Sequence, residues 1–229
     1  MSAENVATLL DSTVKLIDVL IWPTILIFVL IRFGPELREF FANLSELSLT
    51  VAGHGVTIKR QVAEAAAAMA AAAVARVESS GSGSAAQAAQ EAVNTVAGAV
   101  SPRTVRRLAN ARVLWVDDKP DNNRYEREAL EALGIRFVTA RSTEDAMERL
   151  RRQHFDVIIS DMGREPDDRA GYTLLDQARG EGYTVPFIIY SSSNDASHVA
   201  QAKQRGAFGA TNDPGELFEL VLVALGKAG

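Results

Sequence analysis

Two apolar runs that end in carboxylates most constrain what this chain can fold into. Arg112 to Val116 leads into Asp117 and Asp118, and about forty residues later Val157-Ile158-Ile159 leads into Asp161. Continuous, β-branched runs suit parallel strands covered on both faces. In an open parallel sheet, ligands sit beyond the carboxyl ends of the strands, so three carboxylates are expected at one sheet edge. Gathered there, they repel one another and raise their own pKa values unless a hard cation neutralises them, which points to Mg²⁺ with oxygen ligands. A third run, Pro186 to Tyr190, ends in Ser191 and adds a hydroxyl to the same edge.

The order of elements agrees. A helix is expected around Asn122 to Leu133 with Gly134 as its stop, then a strand from Arg136 to Ala140. A helix opened by Ser142 or Thr143 comes next, with Glu144 and Asp145 in its first turn. Strand–helix alternation repeated five times gives an α/β fold with a doubly wound, five-stranded parallel sheet. A single Asp after a strand is usually a turn former or helix cap. Three at the ends of buried runs are a different matter.

With these motifs in place, residues 111–229 resemble the receiver domain of two-component response regulators, a flavodoxin-like fold. The resemblance implies that Asp161 accepts the phosphoryl group and that Ser191 senses it. It also implies that Asp117, Asp118, Asp161 and the backbone carbonyl of Gly163 hold Mg²⁺. The phosphoryl donor is then a histidine kinase or a small phosphodonor. Two positions depart from the family. Its Lys-Pro pair after the fifth strand is replaced by Asp213-Pro214, and its switching aromatic three residues earlier by Ala210. An anion at 213 would repel a phosphoryl oxygen. The loop Met162 to Ala170 is about two residues longer than usual, and its mixed charges read as a solvated loop, with Arg164 or Arg169 as alternative sources of positive charge.

The N-terminal half reads differently. Between Lys15 and Arg32 only Asp18 is charged, and Val19 to Ile31 is apolar apart from Pro23 and Thr24. As a helix the sixteen residues span about 24 Å, near the ~30 Å of a bilayer core once flanking residues snorkel. Met1 to Asp11 lacks the positive charge of a signal peptide. Residues 1–34 are therefore expected to be a single-pass transmembrane anchor. The Lys/Arg bias toward Arg32 and Arg38 places the receiver in the cytoplasm at the inner membrane.

Residues 35–78 read as an oligomerisation stalk. Leu37, Phe40, Phe41, Leu44 and Leu47 share one helical face, and Ser48 to Val51 with Val56 to Lys59 read as a short hairpin around His54. Beyond it lies an Ala-rich helix in which Val62, Ala66, Met69, Ala73 and Arg76 form a seam for self-association. Residues 79–110 are expected to be a flexible joint and linker helices, with a second Ala-rich helix from Ala85 to Val100 and Ser101-Pro102 opening the next.

Charge and composition narrow the function. Residues 1–110 hold nine basic and nine acidic side chains, leaving 15 against 20 for the receiver, so the net charge of −5 belongs to the C-terminal half. No basic cluster supports nucleic-acid binding. The chain has no cysteine, which excludes disulfides and thiolate chemistry. No second His or Cys stands at metal spacing from His54, and the sequence around His154 and His198 carries no nucleophile-activating motif, so an enzyme acting on external substrates is not expected. The expectation is a membrane-anchored, stand-alone receiver, a homo-oligomer signalling through its own assembly or a separate partner. The alternative is a pseudo-receiver scaffold that works without phosphorylation.

Overall fold

The computed structural model describes residues 54–81, 83–191 and 196–227. The anchor, the amphipathic segment and the first half of the hairpin lie outside them. Chain contacts divide the molecule into Met1–Gly55 and Val56–Gly229, and the sheet with the helices packed on it belongs to the second unit. No helix among the described residues is long and apolar enough to cross a membrane.

Five parallel strands form one sheet: β1 (Arg112–Val116), β2 (Arg136–Ala140), β3 (Val157–Asp161), β4 (Phe187–Tyr190) and β5 (Gly209–Thr211). Their order is β2-β1-β3-β4-β5. The three central strands are the most apolar and the most buried, as expected of strands covered on both faces. Helices α4 (Arg124–Ala132), α5 (Thr143–Arg152), α6 (Ala170–Gly180), α7 (Ala196–Gln204) and α8 (Pro214–Lys227) connect or succeed the strands. A 3₁₀ turn, Pro120–Asn123, precedes α4.

Alternation along the strands sends side chains into two apolar layers. Leu114, Val116, Ile158, Phe187 and Ile189 meet Met147 and Leu150 of α5 and Leu174 and Leu175 of α6. Val113, Trp115, Val157, Ile159, Ile188 and Tyr190 meet Leu130 of α4 and Leu217, Phe218 and Val221 of α8. Ser142 caps α5, accepting the Asp145 N–H at 3.2 Å. Gly134, at φ +91°, closes α4 in the left-handed conformation that its position after the last turn requires.

Three further helices extend the second layer: α1 (His54–Ser80), α2 (Ala85–Ala99) and α3 (Pro102–Leu108). The expected hairpin is not formed on its second side, because His54 through Lys59 already belong to α1. The run of helix formers beyond Lys59 carries the helix back through Gly55, so Val56 to Lys59 make helical hydrogen bonds rather than strand pairs. The linker helices are docked: Ala92 and Val96 of α2 and Val105 and Leu108 of α3 are buried in the apolar cluster that includes α8.

The seam expected to drive self-association is largely occupied within the chain. Val62, Ala66 and Met69 are buried in that same cluster, and Ala73 packs against it. Alanine at these positions permits close helix packing, and here the chain itself provides the packing partner.

A polar group interrupts this layer. Glu126 of α4 is buried and accepts a 2.9 Å hydrogen bond from the Tyr190 hydroxyl, while Trp115 meets the Tyr190 ring edge to face at 6.1 Å. Burial is the main cause that raises the Glu126 pKa, opposed by the hydrogen bond and by the charges of Arg127 and Arg76. The same carboxylate and burial push the Tyr190 hydroxyl up as well, burial first.

This packing leads to two expected outcomes. Met69→Ala costs about 2–4 kcal/mol in chemical denaturation if α1 is part of this core, whereas an exposed stalk position changes stability by less than about 0.5 kcal/mol. A carboxyl group with a raised folded pKa stabilises fully below its unfolded value and loses that contribution as pH rises through the folded value. Glu126→Gln keeps an acceptor for Tyr190 and has no charge to bury, so the melting temperature of the variant relative to the parent rises from pH 4 to pH 8. A difference that is flat or falls with pH contradicts the assignment.

Candidate functional site

The C-terminal sheet edge assembles from register. Val116 lies opposite Ser160, and Asp161 lies opposite Tyr190, which in turn faces Thr211. Asp117 and Asp118 therefore leave β1 beside the end of β3, and Ser191 extends β4 on the same edge. Asp117, Asp118 and Asp161 each place a carboxylate oxygen within 4.8 Å of the others.

Each acid is held differently. Asp117 is buried, one oxygen accepting the Lys119 N–H at 2.7 Å and the other the Asn123 amide at 2.5 Å. The Asp117 N–H donates to the Ala140 carbonyl at 2.9 Å, which fixes where the chain leaves the sheet. Asp161 is half-buried and accepts the Met162 N–H at 2.8 Å on one oxygen. Its pKa rises from 3.8 to about 6, chiefly by burial and then by repulsion from Asp117, against the pull of the Met162 N–H and of Arg164.

Helix α6 comes very close to this loop. A Cβ on Gly171 would sit 2.9 Å from the Asp161 carbonyl oxygen and 3.0 Å from Met162 Cα, and the Gly171 N–H donates to Met162 O at 2.8 Å. Only glycine admits that approach. Gly163 lies two residues beyond Asp161 in the same loop and is exposed. Ser191 is partly buried, and its N–H donates to Thr211 O at 3.0 Å.

The loop after Asp161 differs from the solvated segment expected. Arg164 is 4% exposed, with its side chain directed inward. Asp167 secures the rest of the turn, accepting the Arg169 N–H at 2.8 Å and the Thr173 hydroxyl at 2.7 Å. Alternating charges in a loop signal solvent exposure only when no buried acceptors await them, and here carbonyls and hydroxyls do. Arg169 remains exposed at the turn.

The two atypical positions also acquire structural roles. Asp213 caps α8, its carboxylate accepting the Glu216 N–H at 2.8 Å, and the Thr211 hydroxyl accepts the Asp213 N–H at 3.0 Å and donates to Glu216. The Asp213 carboxylate is thus engaged at a helix N-terminus, where the dipole favours an anion. Ala210 lies in β5 beside Ile189 and leaves no aromatic at that point.

Sequence reasoning missed Asn123, Lys119 and Thr143. Asn123 orients Asp117, Lys119 reaches Glu165 across the loop at 3.7 Å, and Thr143 is buried against Arg164. Asn123 carried a usable signal, since an amide six residues past an acid can return to it through one turn. Thr143 and Arg164 are 21 residues apart and carried none.

The donor set suits a hard divalent cation. It consists of carboxylate oxygens alone, and their mutual repulsion is relieved by a bound positive charge.

Residues 113–222 match the family model of the response regulator receiver domain. Among curated proteins, the chain is 36% identical over 93 residues to the sensor histidine kinase RcsC of Escherichia coli, covering 41% of this chain and 9% of the kinase. It is 30% identical over 121 residues to the response regulator protein PilR of Pseudomonas aeruginosa, covering 52% of this chain and 27% of that protein. The chain therefore spans only a small part of these relatives. Among solved structures, the receiver domain of the Francisella response regulator 1452 aligns with a TM-score of 0.47 at 20% identity, over 52% of this chain and all of that one. The acid cluster and the parallel sheet agree with that match: residues 113–222, just under half of the chain, form a response regulator receiver domain.

Proposed function

We propose that this receiver is phosphorylated on Asp161 in a Mg²⁺-dependent way. The observation that carries the reading is the convergence of three carboxylates within 4.8 Å at the ends of two neighbouring parallel strands. Asp117, Asp118, Asp161 and the Gly163 carbonyl would hold Mg²⁺, which when bound neutralises charge developing on the transferring phosphoryl group. Asp161 has one oxygen fixed by the Met162 N–H and presents the other to phosphorus. As the new O–P bond forms, the bond from phosphorus to the donor breaks and the donor leaves with the electron pair. The rest is positioning: Lys119 and Asn123 hold Asp117 in one orientation. A histidine kinase is the proposed physiological donor, in keeping with the sensor histidine kinase among the relatives. Ser191 then binds the phosphorylated carboxylate, and the altered edge is read by a separate partner.

A second reading has its own support. Ala210 offers no aromatic switch, and Asp213 is committed to capping α8. Both favour a scaffold whose surface is read without phosphorylation.

One experiment separates the two. The purified full chain is incubated with Mg²⁺ and acetyl phosphate, and intact mass is measured. The expected result is one added phosphoryl group, absent in Asp161→Ala and in Asp117→Asn/Asp118→Asn. No gain in the parent favours the scaffold, and a gain that survives Asp161→Ala removes Asp161 as acceptor. Only the carboxylate form attacks, so at low Mg²⁺ the rate rises as pH passes through about 6. At saturating Mg²⁺ that midpoint falls, since a bound cation favours the ionised form.

The reading also retains a membrane anchor in residues 1–34, supported by the apolar run Val19 to Ile31. Protease added to intact cells should spare the receiver, and protease added to inverted vesicles should remove it. Release of the full chain by high salt would show peripheral attachment instead.

A further inference from the structure

Arg164 leaves the loop beyond β3 and turns back beneath the pocket. Its Nη1 donates to the Ser160 hydroxyl at 2.6 Å and to the Asp161 backbone oxygen at 2.9 Å, with the Val116 carbonyl at 3.5 Å. Its Nη2 donates to the Thr143 hydroxyl at 3.0 Å and to the Ala170 carbonyl at 2.9 Å. These five acceptors belong to the ends of β1 and β3 and to the starts of α5 and α6. Val116 immediately precedes Asp117, so a single side chain ties together the two strand ends that carry the acids.

Every one of these acceptors is neutral. A permanently charged guanidinium is costly to bury, and five neutral acceptors offset that cost only in part. Nε, moreover, is buried without a hydrogen bond. Burial, the largest effect, pushes the Arg164 pKa below its ordinary value, and charges one layer out, those of Asp161, Asp117, Asp167 and Asp118 in that order, favour the cationic form and offset part of that cost. The attraction is mutual, because the Arg164 charge also favours ionised Asp161. A pure fastening role needs donors and no charge. Only an acidic neighbourhood makes a charge useful here.

The geometry points to Arg164 as the pocket's built-in counter-cation: a positioning residue that holds Asp117, Asp118 and Asp161 together when no metal ion is bound, from beneath rather than from position 213. This rests on the reading of that cluster as the metal and phosphoryl site. It gives the chain an internal positive charge where Asp213 supplies none, delivered through the Asp161 main chain instead of by direct contact with the carboxylate.

The test compares melting temperatures of the full chain in EDTA and in saturating Mg²⁺. Arg164→Gln keeps an amide donor and removes the charge, and Arg164→Lys keeps the charge with fewer donors. The Mg²⁺-induced rise should be at least twice as large in Arg164→Gln as in the parent, because the metal then relieves repulsion that arginine no longer offsets. Arg164→Lys should respond to Mg²⁺ like the parent even if it melts lower. In EDTA, the loss caused by Arg164→Gln should shrink to less than half when Asp117→Asn/Asp118→Asn is already present. An equal loss in both backgrounds, or an Mg²⁺ response in Arg164→Gln no larger than the parent's, overturns the proposal and leaves Arg164 a fastener. The EDTA comparison needs neither metal nor phosphodonor, so it remains decisive even if Asp161 is never phosphorylated.

Discussion

Mutual repulsion among three carboxylates is the constraint around which the C-terminal half of this chain is arranged. Asp117, Asp118 and Asp161 stand at adjacent strand ends, and burial of Asp161 intensifies their unfavourable field. Parallel strands covered on both faces make such a gathering possible, because β1 and β3 arrive at the edge in fixed register and with no freedom to splay. What the sheet forces together, directed hydrogen bonds must then hold. The Lys119 N–H and the Asn123 amide engage Asp117, the Met162 N–H engages Asp161, and Arg164 lies behind them all. Burial and then Asp117 push the Asp161 pKa up to about 6, and a cation bound there would favour the ionised form.

The face of the sheet opposite α5 and α6 carries a second theme. Helices α1, α2 and α3 contribute to one apolar cluster with α4 and α8, so the N-terminal helical region and the receiver share a core. At its centre, Tyr190 links three things: its ring meets Trp115, its hydroxyl bonds Glu126, and its neighbour in sequence is Ser191. Arg76 of α1 acts electrostatically on both Glu126 and Tyr190. Tyr190, next to Ser191 in sequence, is therefore packed in the same core that α1 joins. In a close-packed interior, displacement of one side chain is felt by its neighbours.

The N-terminal half shows how one composition supports two structures. Alanine favours helix and close approach, but it does not name the partner. The Val62, Ala66, Met69 seam would serve a second copy of the chain equally well, and in the structure the chain's own α2, α4 and α8 belong to the same core. The hairpin expected around His54 is not formed on its C-terminal side for a related reason: a glycine beside a polar residue does not by itself break a helix, and α1 already includes His54 and Gly55.

Much of the fold and of the site was legible because its determinants are local. Apolar runs gave β1, β3 and β4 to within a residue or two, and Gly134, Ser142 and Ser101 marked helix ends through backbone chemistry that needs no distant partner. The acidic triad was legible because strand ends in a parallel sheet have a known destination. The sequence by itself determined the alternation of elements, the edge at which the carboxylates meet and the absence of thiol chemistry. Tertiary structure alone decided the fate of charges and small residues: Arg164 went inside because carbonyls and hydroxyls 3 to 48 positions away surround it, Asp213 became a cap, and the alanine seam became core. The physical reason is that a side chain's environment is set by whichever groups the topology brings within a few ångströms, and sequence spacing does not encode them.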